Sequence, residues 1–160
     1  MPNIIITGAS DGIGAELARQ LARRHGLQAM LVLAARNAAR LQSVAADCMA
    51  LGARTLIMPT DITDEKQCRH LVETTVSHLG SLDILINNAG NTPRGTLLNL
   101  DEKTWRSGWE LKIFGYINLT REVYRYMVDK KAGVILNVIG IGAEKLEYAY
   151  VAGSMGNAAL

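Results

Sequence analysis

Five short apolar segments recur along the chain, and stretches with helical spacing separate them. The apolar segments are 3–7, 29–34, 54–59, 82–87 and 134–139. None of them alternates apolar with polar residues, which is typical of parallel strands that are covered on both faces. Between them, apolar residues return every three or four positions, as on the buried face of a helix. Gly26, Gly52 and Gly80 follow these helical stretches and predict their C-terminal ends.

This alternation predicts an α/β fold. Strands that alternate with helices pair in parallel through right-handed crossovers, and the sheet is buried between two layers of helices. We expect a Rossmann-like, doubly wound sheet of five strands in the order 3-2-1-4-5, in a three-layer α/β/α arrangement. No repeat or linker divides the chain, so residues 1–160 are expected to form a single domain.

Composition excludes several classes of protein. The net charge is +2 and the basic residues are dispersed. The chain therefore lacks the basic patch that is typical of nucleic-acid-binding proteins. The longest apolar runs are too short to cross a membrane, and the N-terminus lacks the pattern of a signal peptide. Cys48 and Cys68 predict no disulfide framework, and the three histidines lack metal-ligand spacing. We expect a cytoplasmic protein without a metal site.

The segment Ile6–Gly14, ITGASDGIG, follows the first predicted strand and opens the first helix. Gly8, Gly12 and Gly14 permit a tight turn and let a pyrophosphate approach the backbone. The helix N-terminus adds free N–H groups and a partial positive charge. Because strand, loop and helix follow in this order, we interpret the segment as a nucleotide-binding loop rather than as an ordinary glycine-rich turn.

The end of the second predicted strand bears on the choice of nucleotide. Domains that bind NAD carry an acidic residue there for the ribose 2′-hydroxyl, but no carboxylate occurs at 29–37. Arg36 can instead bind a 2′-phosphate through charge-assisted hydrogen bonds. The sequence therefore favours NADP over NAD, although the negative charge of Asp11 in the glycine-rich loop acts against binding of an additional phosphate. The alternative is that Arg36 is a solvated surface residue.

Three motifs together resemble those of the short-chain dehydrogenase/reductase family. They are the spacing Thr-Gly-x-x-x-Gly-x-Gly from Thr7 to Gly14, TDIT at 60–63 and NNAG at 87–90, in the family's order and across the whole chain. The resemblance implies hydride transfer between a nicotinamide cofactor and a carbonyl or secondary alcohol, and it places Asp61 against the adenine. Asn and Gly also suit a turn at the end of a strand, but the position of NNAG at the carboxyl edge of a parallel strand, where ligands bind, favours the functional interpretation. The cofactor-binding residues expected from these motifs are Thr7, Gly8, Ser10, Asp11, Gly12, Ile13, Gly14, Arg36, Asp61, Ile62, Asn88, Ala89, Gly90 and Tyr150.

The catalytic residues of that family are only partly matched. Tyr150 corresponds to the tyrosine that exchanges a proton with the substrate oxygen. The lysine expected four residues later is Ser154, the serine position falls on Gly140, and the asparagine position falls on Lys112. Without a neighbouring cation Tyr150 is a poor base at neutral pH but a usable acid for reduction. Ser154 can bond a ribose hydroxyl, and Asn157 shares its helical face with Tyr150.

Lys112 has two interpretations of similar weight. It lies in a long predicted helix, 101–128, on the same face as Trp105, Trp109 and Tyr116. In the first interpretation its ammonium replaces the missing lysine and activates the catalytic tyrosine from the other helix. In the second its stem packs against the aromatic rings while its ammonium reaches water.

Three functions follow from these residues. The first is an NADP-preferring short-chain oxidoreductase with Tyr150, Lys112 and Ser154 as catalytic residues. The second is a catalytically impaired nucleotide-binding protein or fragment, because the family's lysine and serine are not matched and its usual C-terminal strands and substrate loop are not found in residues 1–160. The third is an assembly module that works through the aromatic face at 105–116. Since the strand at 134–139 is predicted to lie at the sheet edge, where strands recruit other chains, we also expect a homo-oligomer. The sequence does not specify the substrate.

Overall fold

The five apolar segments form one parallel sheet. In the computed structural model, which describes residues 1–160, the strands are β1 (Asn3–Thr7), β2 (Met30–Ala35), β3 (Arg54–Pro59), β4 (Ile84–Asn87) and β5 (Val134–Asn137). Their order is β3-β2-β1-β4-β5, and every neighbouring pair is parallel. The predicted doubly wound sheet is therefore confirmed. It reverses its winding between β1 and β4, where ligands bind in such sheets.

Six helices surround this sheet. They are α1 (Gly12–His25), α2 (Ala38–Ala50), α3 (Glu65–Leu79), α4 (Glu102–Trp109), α5 (Gly115–Lys130) and α6 (Val151–Ala158). Asp11, Asn37, Asp64 and Asp101 cap the first four, each accepting a hydrogen bond from a first-turn backbone N–H. Gly80 ends α3 with a φ of 77°. No helix combines the length and apolar character that a membrane span requires.

The core consists of two layers, one on each face of the sheet. Ile4 and Ile6 of β1 point into a cluster with buried residues of α1 and α2. Ile5 points the other way, into a cluster with residues of α3 and α5 that include Leu119. Because both faces are covered, every position of β1 is buried. This explains why the segment does not alternate apolar with polar residues.

The predicted long helix at 101–128 is interrupted. Residues Glu110–Phe114 form a π-helical turn between α4 and α5. A π turn widens the backbone ladder by one residue, and thus the four residues predicted to share one face divide among α4, the π turn and α5. Trp109 lies on α4 and donates from Nε1 to the Ala152 carbonyl at 3.0 Å, whereas Tyr116 is buried in the core beneath α5.

β5 is the outer strand of the sheet, as predicted, but it is shorter than the apolar run 134–139. Beyond Asn137 the Val138 N–H still donates to the Asn87 carbonyl at 2.8 Å, whereas the Val138 carbonyl accepts hydrogen bonds from Lys112 Nζ and Tyr116 Oη instead of from a strand. The side chains of Val134 and Leu136 are 55% and 48% exposed. The strand therefore leaves an apolar edge open.

Candidate functional site

The candidate site lies at the carboxyl ends of β1 and β4, where Thr7 joins two of the predicted motifs. Its hydroxyl accepts hydrogen bonds from the backbone N–H groups of Asn88 at 2.9 Å and Ala89 at 3.1 Å. The Asn88 side-chain amide donates to the Thr7 carbonyl at 3.0 Å. These bonds hold the NNAG segment against the glycine loop. They span 81 residues of sequence.

The three glycines of the loop have different roles. A Cβ at Gly14 would lie 2.3 Å from the Gly8 carbonyl oxygen, so α1 packs directly on the loop. Gly8 has a φ of 66° and would place a Cβ 2.9 Å from Ala89 Cα. A Cβ at Gly12 would meet nothing within 4 Å. Gly12 therefore leaves an open backbone surface at a helix N-terminus, as an incoming phosphate requires.

A groove of about 330 Å³ opens at this surface. The structure brings seven residues to it, all from the two motifs: Gly8, Asp11, Gly12, Ile13, Asn88, Ala89 and Gly90. Asp11 repels a phosphate less than its formal charge would suggest, because its carboxylate is engaged by two other groups. Its carboxylate caps the N–H of Gly12 at 2.7 Å and forms an ion pair with Arg40 at 2.9 Å.

A second groove, of about 400 Å³, runs from the loop towards the end of β2. Four of the predicted cofactor-binding residues line it: Ser10, Arg36, Asp61 and Ile62. The Asp61 carboxylate is held by the Thr63 backbone N–H and hydroxyl, at 3.0 and 2.9 Å. Arg36 is exposed and forms none of the ion pairs of the chain, so its guanidinium is available to an anion.

Arg40 and Leu111 also line this groove, and the sequence did not single them out. Arg40 lies in the first turn of α2, whereas Arg36 precedes the N-cap Asn37, so no helical spacing relates the two arginines. Leu111 comes from the π turn, far along the chain. A larger hollow of about 860 Å³ beside α4 shares Arg36 and Asp61 with the groove. It lacks the glycine loop, so we regard it as the open approach to the site.

A third cavity, of about 480 Å³, contains Tyr150 and Lys112 together. It shares Ile13, Asn88 and Gly90 with the glycine-loop groove, which makes the two continuous. Ser154 does not line this cavity. It is 3% exposed and its hydroxyl has no hydrogen-bond partner. The structure therefore does not place Ser154 where it would bond a ribose.

Tyr150 lies at the start of α6 and is held by the segment that follows NNAG. Its hydroxyl forms a short hydrogen bond with Thr92 Oγ1, and the Arg94 guanidinium carbon lies 5.2 Å from the centre of its ring. The ring covers Gly153, where a Cβ would be 1.9 Å from Tyr150 Cζ. The Gly95 N–H donates a hydrogen bond to the carbonyl of Ala149, the residue before Tyr150, at 2.8 Å. No sequence signal had indicated Thr92 or Arg94.

Lys112 follows neither of its two interpretations. It is 8% exposed, so the side chain is largely removed from water. The ammonium donates to the Val138 carbonyl at 2.7 Å and to Tyr116 Oη at 3.1 Å, and it forms no hydrogen bond with Tyr150. Burial lowers the pKa of Lys112 and raises the pKa of Tyr116. Tyr116 is 1% exposed and lines no part of the cavity, so it cannot replace Tyr150 in contact with a substrate.

The position of the family's serine has a structural explanation. Gly140 follows β5, and its backbone N–H donates to Asn157 Oδ1 at 3.0 Å. A Cβ at Gly140 would lie 3.0 Å from Asn157 Nδ2. The amide of Asn157 therefore occupies the space that a side chain at position 140 would need, and it brings a polar group to the same cavity.

The chain shows no group of three or more His, Cys, Asp and Glu residues placed to hold a metal. Cys48 and Cys68 are free and buried. Burial raises the pKa of the Cys68 thiol to about 12. Neither thiol lines a groove of the candidate site.

Comparison with known proteins gives one consistent family. The family model for short chain dehydrogenase matches residues 2–154. Dehydrogenase/reductase SDR family member 7 of Mus musculus is 34% identical over 154 residues, covering 92% of this chain and 45% of that protein. Sepiapterin reductase of Chlorobaculum tepidum is 34% identical over 146 residues, covering 89% of this chain and 60% of that protein.

A similar solved structure is 7α-hydroxysteroid dehydrogenase complexed with NADH and 7-oxo glycochenodeoxycholic acid. It is 30% identical, with a TM-score of 0.90, over 99% of this chain and 60% of that one. The chain thus spans about half the length of the curated relatives that it matches.

Proposed function

The chain belongs to the short-chain dehydrogenase family, and from that premise we propose that it is an oxidoreductase. It transfers a hydride between NADP(H) and a carbonyl or secondary alcohol, with Tyr150 as the acid. The observation that carries this proposal is the continuous groove. Ile13, Asn88 and Gly90 line both the glycine-loop groove and the cavity that contains Tyr150. A dinucleotide on the loop would extend directly to the tyrosine.

The residues of the groove fit a dinucleotide along its length. The open backbone at Gly12 and the N-terminus of α1 suit the pyrophosphate. Asp61 and Ile62 suit the adenine end, and Asn88 and Gly90 suit the nicotinamide end. When bound, the nicotinamide supplies or accepts the hydride.

The arginines at the end of β2 support NADP rather than NAD. Arg36 lines the second groove without an ion-pair partner, and Arg40 lines it while paired with Asp11. A 2′-phosphate between them would gain charge-assisted hydrogen bonds. The end of β2 offers no carboxylate for a 2′-hydroxyl. NAD would gain less from these groups.

Tyr150 supplies the proton in reduction. Its phenol lines the cavity, and Thr92 hydrogen-bonds its oxygen. A hydroxyl both donates and accepts, so Thr92 can relay a proton to Tyr150 after transfer, accepting one from solvent water as it donates its own. No lysine bonds Tyr150, because the Lys112 ammonium is engaged by Val138 and Tyr116. We therefore expect reduction of a carbonyl to be faster than oxidation of an alcohol.

Tyr150→Phe tests this function. We expect it to lower carbonyl-dependent NADPH oxidation by about 10²–10⁴-fold, the usual contribution of a general acid. NADPH affinity, read from cofactor fluorescence, should change little because the ring is retained. Tyr148→Phe is the matched control, since Tyr148 is 83% exposed and lies two residues away. Equal turnover by Tyr150→Phe and the unmodified protein would refute the role of the tyrosine.

A second function is favoured by two observations at the same cavity. Position 140 carries no hydroxyl and its space is filled by Asn157, and Ser154 is buried outside the cavity. A protein with these features can bind nucleotide without turning over. NADPH binding with no consumption across a panel of ketones and aldehydes would favour it. The aromatic face at 105–116 gives less support to an assembly module, because Trp109 bonds α6 within the chain.

A further inference from the structure

The cavity that contains Tyr150 is lined by two basic side chains. Arg94 and Lys112 both line it, and none of its twelve lining residues is an aspartate or glutamate. The Lys112 side chain is buried there, while the Arg94 guanidinium covers one face of the tyrosine ring. Two basic side chains therefore lie beside the place where a substrate must meet Tyr150, and one of them, Arg94, is also paired with Glu147.

The cofactor does not account for these two cations. Its pyrophosphate would lie on the glycine loop and its 2′-phosphate beside Arg36, and neither Arg94 nor Lys112 lines those two grooves. The nicotinamide end of the cofactor carries no phosphate. Its ring is positively charged when oxidised, so the two cations would repel the oxidised cofactor. An anion in the cavity would offset that repulsion.

Arg94 is already placed to hold a carboxylate. Its Nη2 bonds Glu147 Oε2 at 2.6 Å, and this ion pair is exposed, with 70% and 54% of the two side chains accessible. A guanidinium has five N–H donors in a planar fork, so one bond to Glu147 leaves room for a second carboxylate. Lys112 uses two of its three N–H groups, on Tyr116 and Val138. The third N–H group of Lys112 remains available and can attract the same carboxylate.

We propose that the substrate is an oxo acid: a carbonyl compound whose carboxylate binds Arg94 while its carbonyl oxygen meets Tyr150. Lys112 adds positive potential at the same cavity. This inference rests on the proposed function for its chemistry, in which the carbonyl carbon receives the hydride and the oxygen receives the proton of Tyr150. The carboxylate itself does not react.

A pair of matched ketones tests the proposal. 4-Oxopentanoate and its methyl ester share the same ketone and differ in charge. In NADPH-oxidation assays we expect kcat/KM for the acid to exceed that for the ester by about two- to fivefold, the range for an exposed ion pair. Arg94→Gln should make the kcat/KM values for the acid and the ester nearly equal. Arg121→Gln, on the exposed side of α5, should retain the acid-to-ester ratio, and Glu147→Gln should retain or increase it because the guanidinium is released.

A binding measurement separates this inference from the proposed function. Pentanoate and pentanamide cannot be reduced, so calorimetric titration into the protein saturated with NADPH needs no turnover. We expect pentanoate to bind about two- to fivefold more tightly than pentanamide, as for an exposed ion pair, and Arg94→Gln to remove the difference. If no ketone is reduced but this difference is found, the proposed function fails and the anion site stands. Equal binding of the two probes, or an acid-to-ester ratio that survives Arg94→Gln, would overturn the inference.

Discussion

Gly14→Ala is the substitution whose cost the structure defines most directly. A Cβ at this position would lie 2.3 Å from the Gly8 carbonyl oxygen and 2.5 Å from Asn88 Nδ2. The first distance is more than 1 Å below the 3.4 Å at which ordinary contact begins. The nearest obstacle is backbone, so it cannot rotate away. The N-terminus of α1 must instead move off the end of β1.

The expected magnitude follows from two opposing effects. Overpacking of this kind costs about 1–3 kcal/mol, and alanine recovers up to about 1 kcal/mol through its helix propensity. We expect the free energy of unfolding to fall by about 1–2 kcal/mol. For a domain of this size that corresponds to a Tm lower by about 2–8 °C. Cofactor affinity should fall too, because the displaced helix N-terminus forms the phosphate surface.

Gly156→Ala is the matched control. Gly156 is also a buried helical glycine, but a Cβ there meets its nearest neighbour, Trp109 Nε1, at an ordinary 3.5 Å. Its Tm should stay constant or rise. Thermal unfolding followed by circular dichroism, with NADPH titration of each variant, makes the comparison. If Gly14→Ala is as stable as Gly156→Ala, then α1 does not pack on the loop as closely as the structure indicates.

Three other perturbations give separate expectations. Arg36→Asp should reverse the nucleotide preference from NADP(H) to NAD(H) in fluorescence titrations, and equal affinity of the unmodified protein for both cofactors would exclude Arg36 as the determinant. Because burial lowers the pKa of Lys112 below 10.5 only in the folded state, the folded protein binds fewer protons than the unfolded chain between that lowered pKa and 10.5. The free energy of unfolding should therefore rise with pH through this interval, and Lys112→Met should flatten the rise in denaturant titrations; parallel pH profiles would contradict this. The open edge at β5 should cause the chain to self-associate at micromolar concentration, as measured by sedimentation velocity, and Leu136→Lys should weaken this association. A monomer whose backbone amides at 134–137 resist hydrogen exchange would show instead that the edge is covered.

Local patterning was enough to predict the framework of this protein. The apolar segments without alternation specified parallel strands, and the helical spacing between them specified crossovers, which together left few possible strand orders. The glycine spacing from Gly8 to Gly14 and the NNAG segment each lie within one strand–loop unit. Their positions at the carboxyl edge of the sheet therefore followed from the sequence.

The tertiary structure alone decided how the catalytic candidates are arranged. Thr92 and Tyr150 are 58 residues apart, and no periodic pattern relates a loop to the start of a distant helix. Lys112 lies in a π turn, which the spacing of apolar residues in the sequence does not reveal. The hydrogen-bond partners of its ammonium could therefore not be inferred from its predicted helical face. Hydrogen bonds and ion pairs of this kind depend on packing between elements, whereas sequence periodicity records only which face of each element is buried.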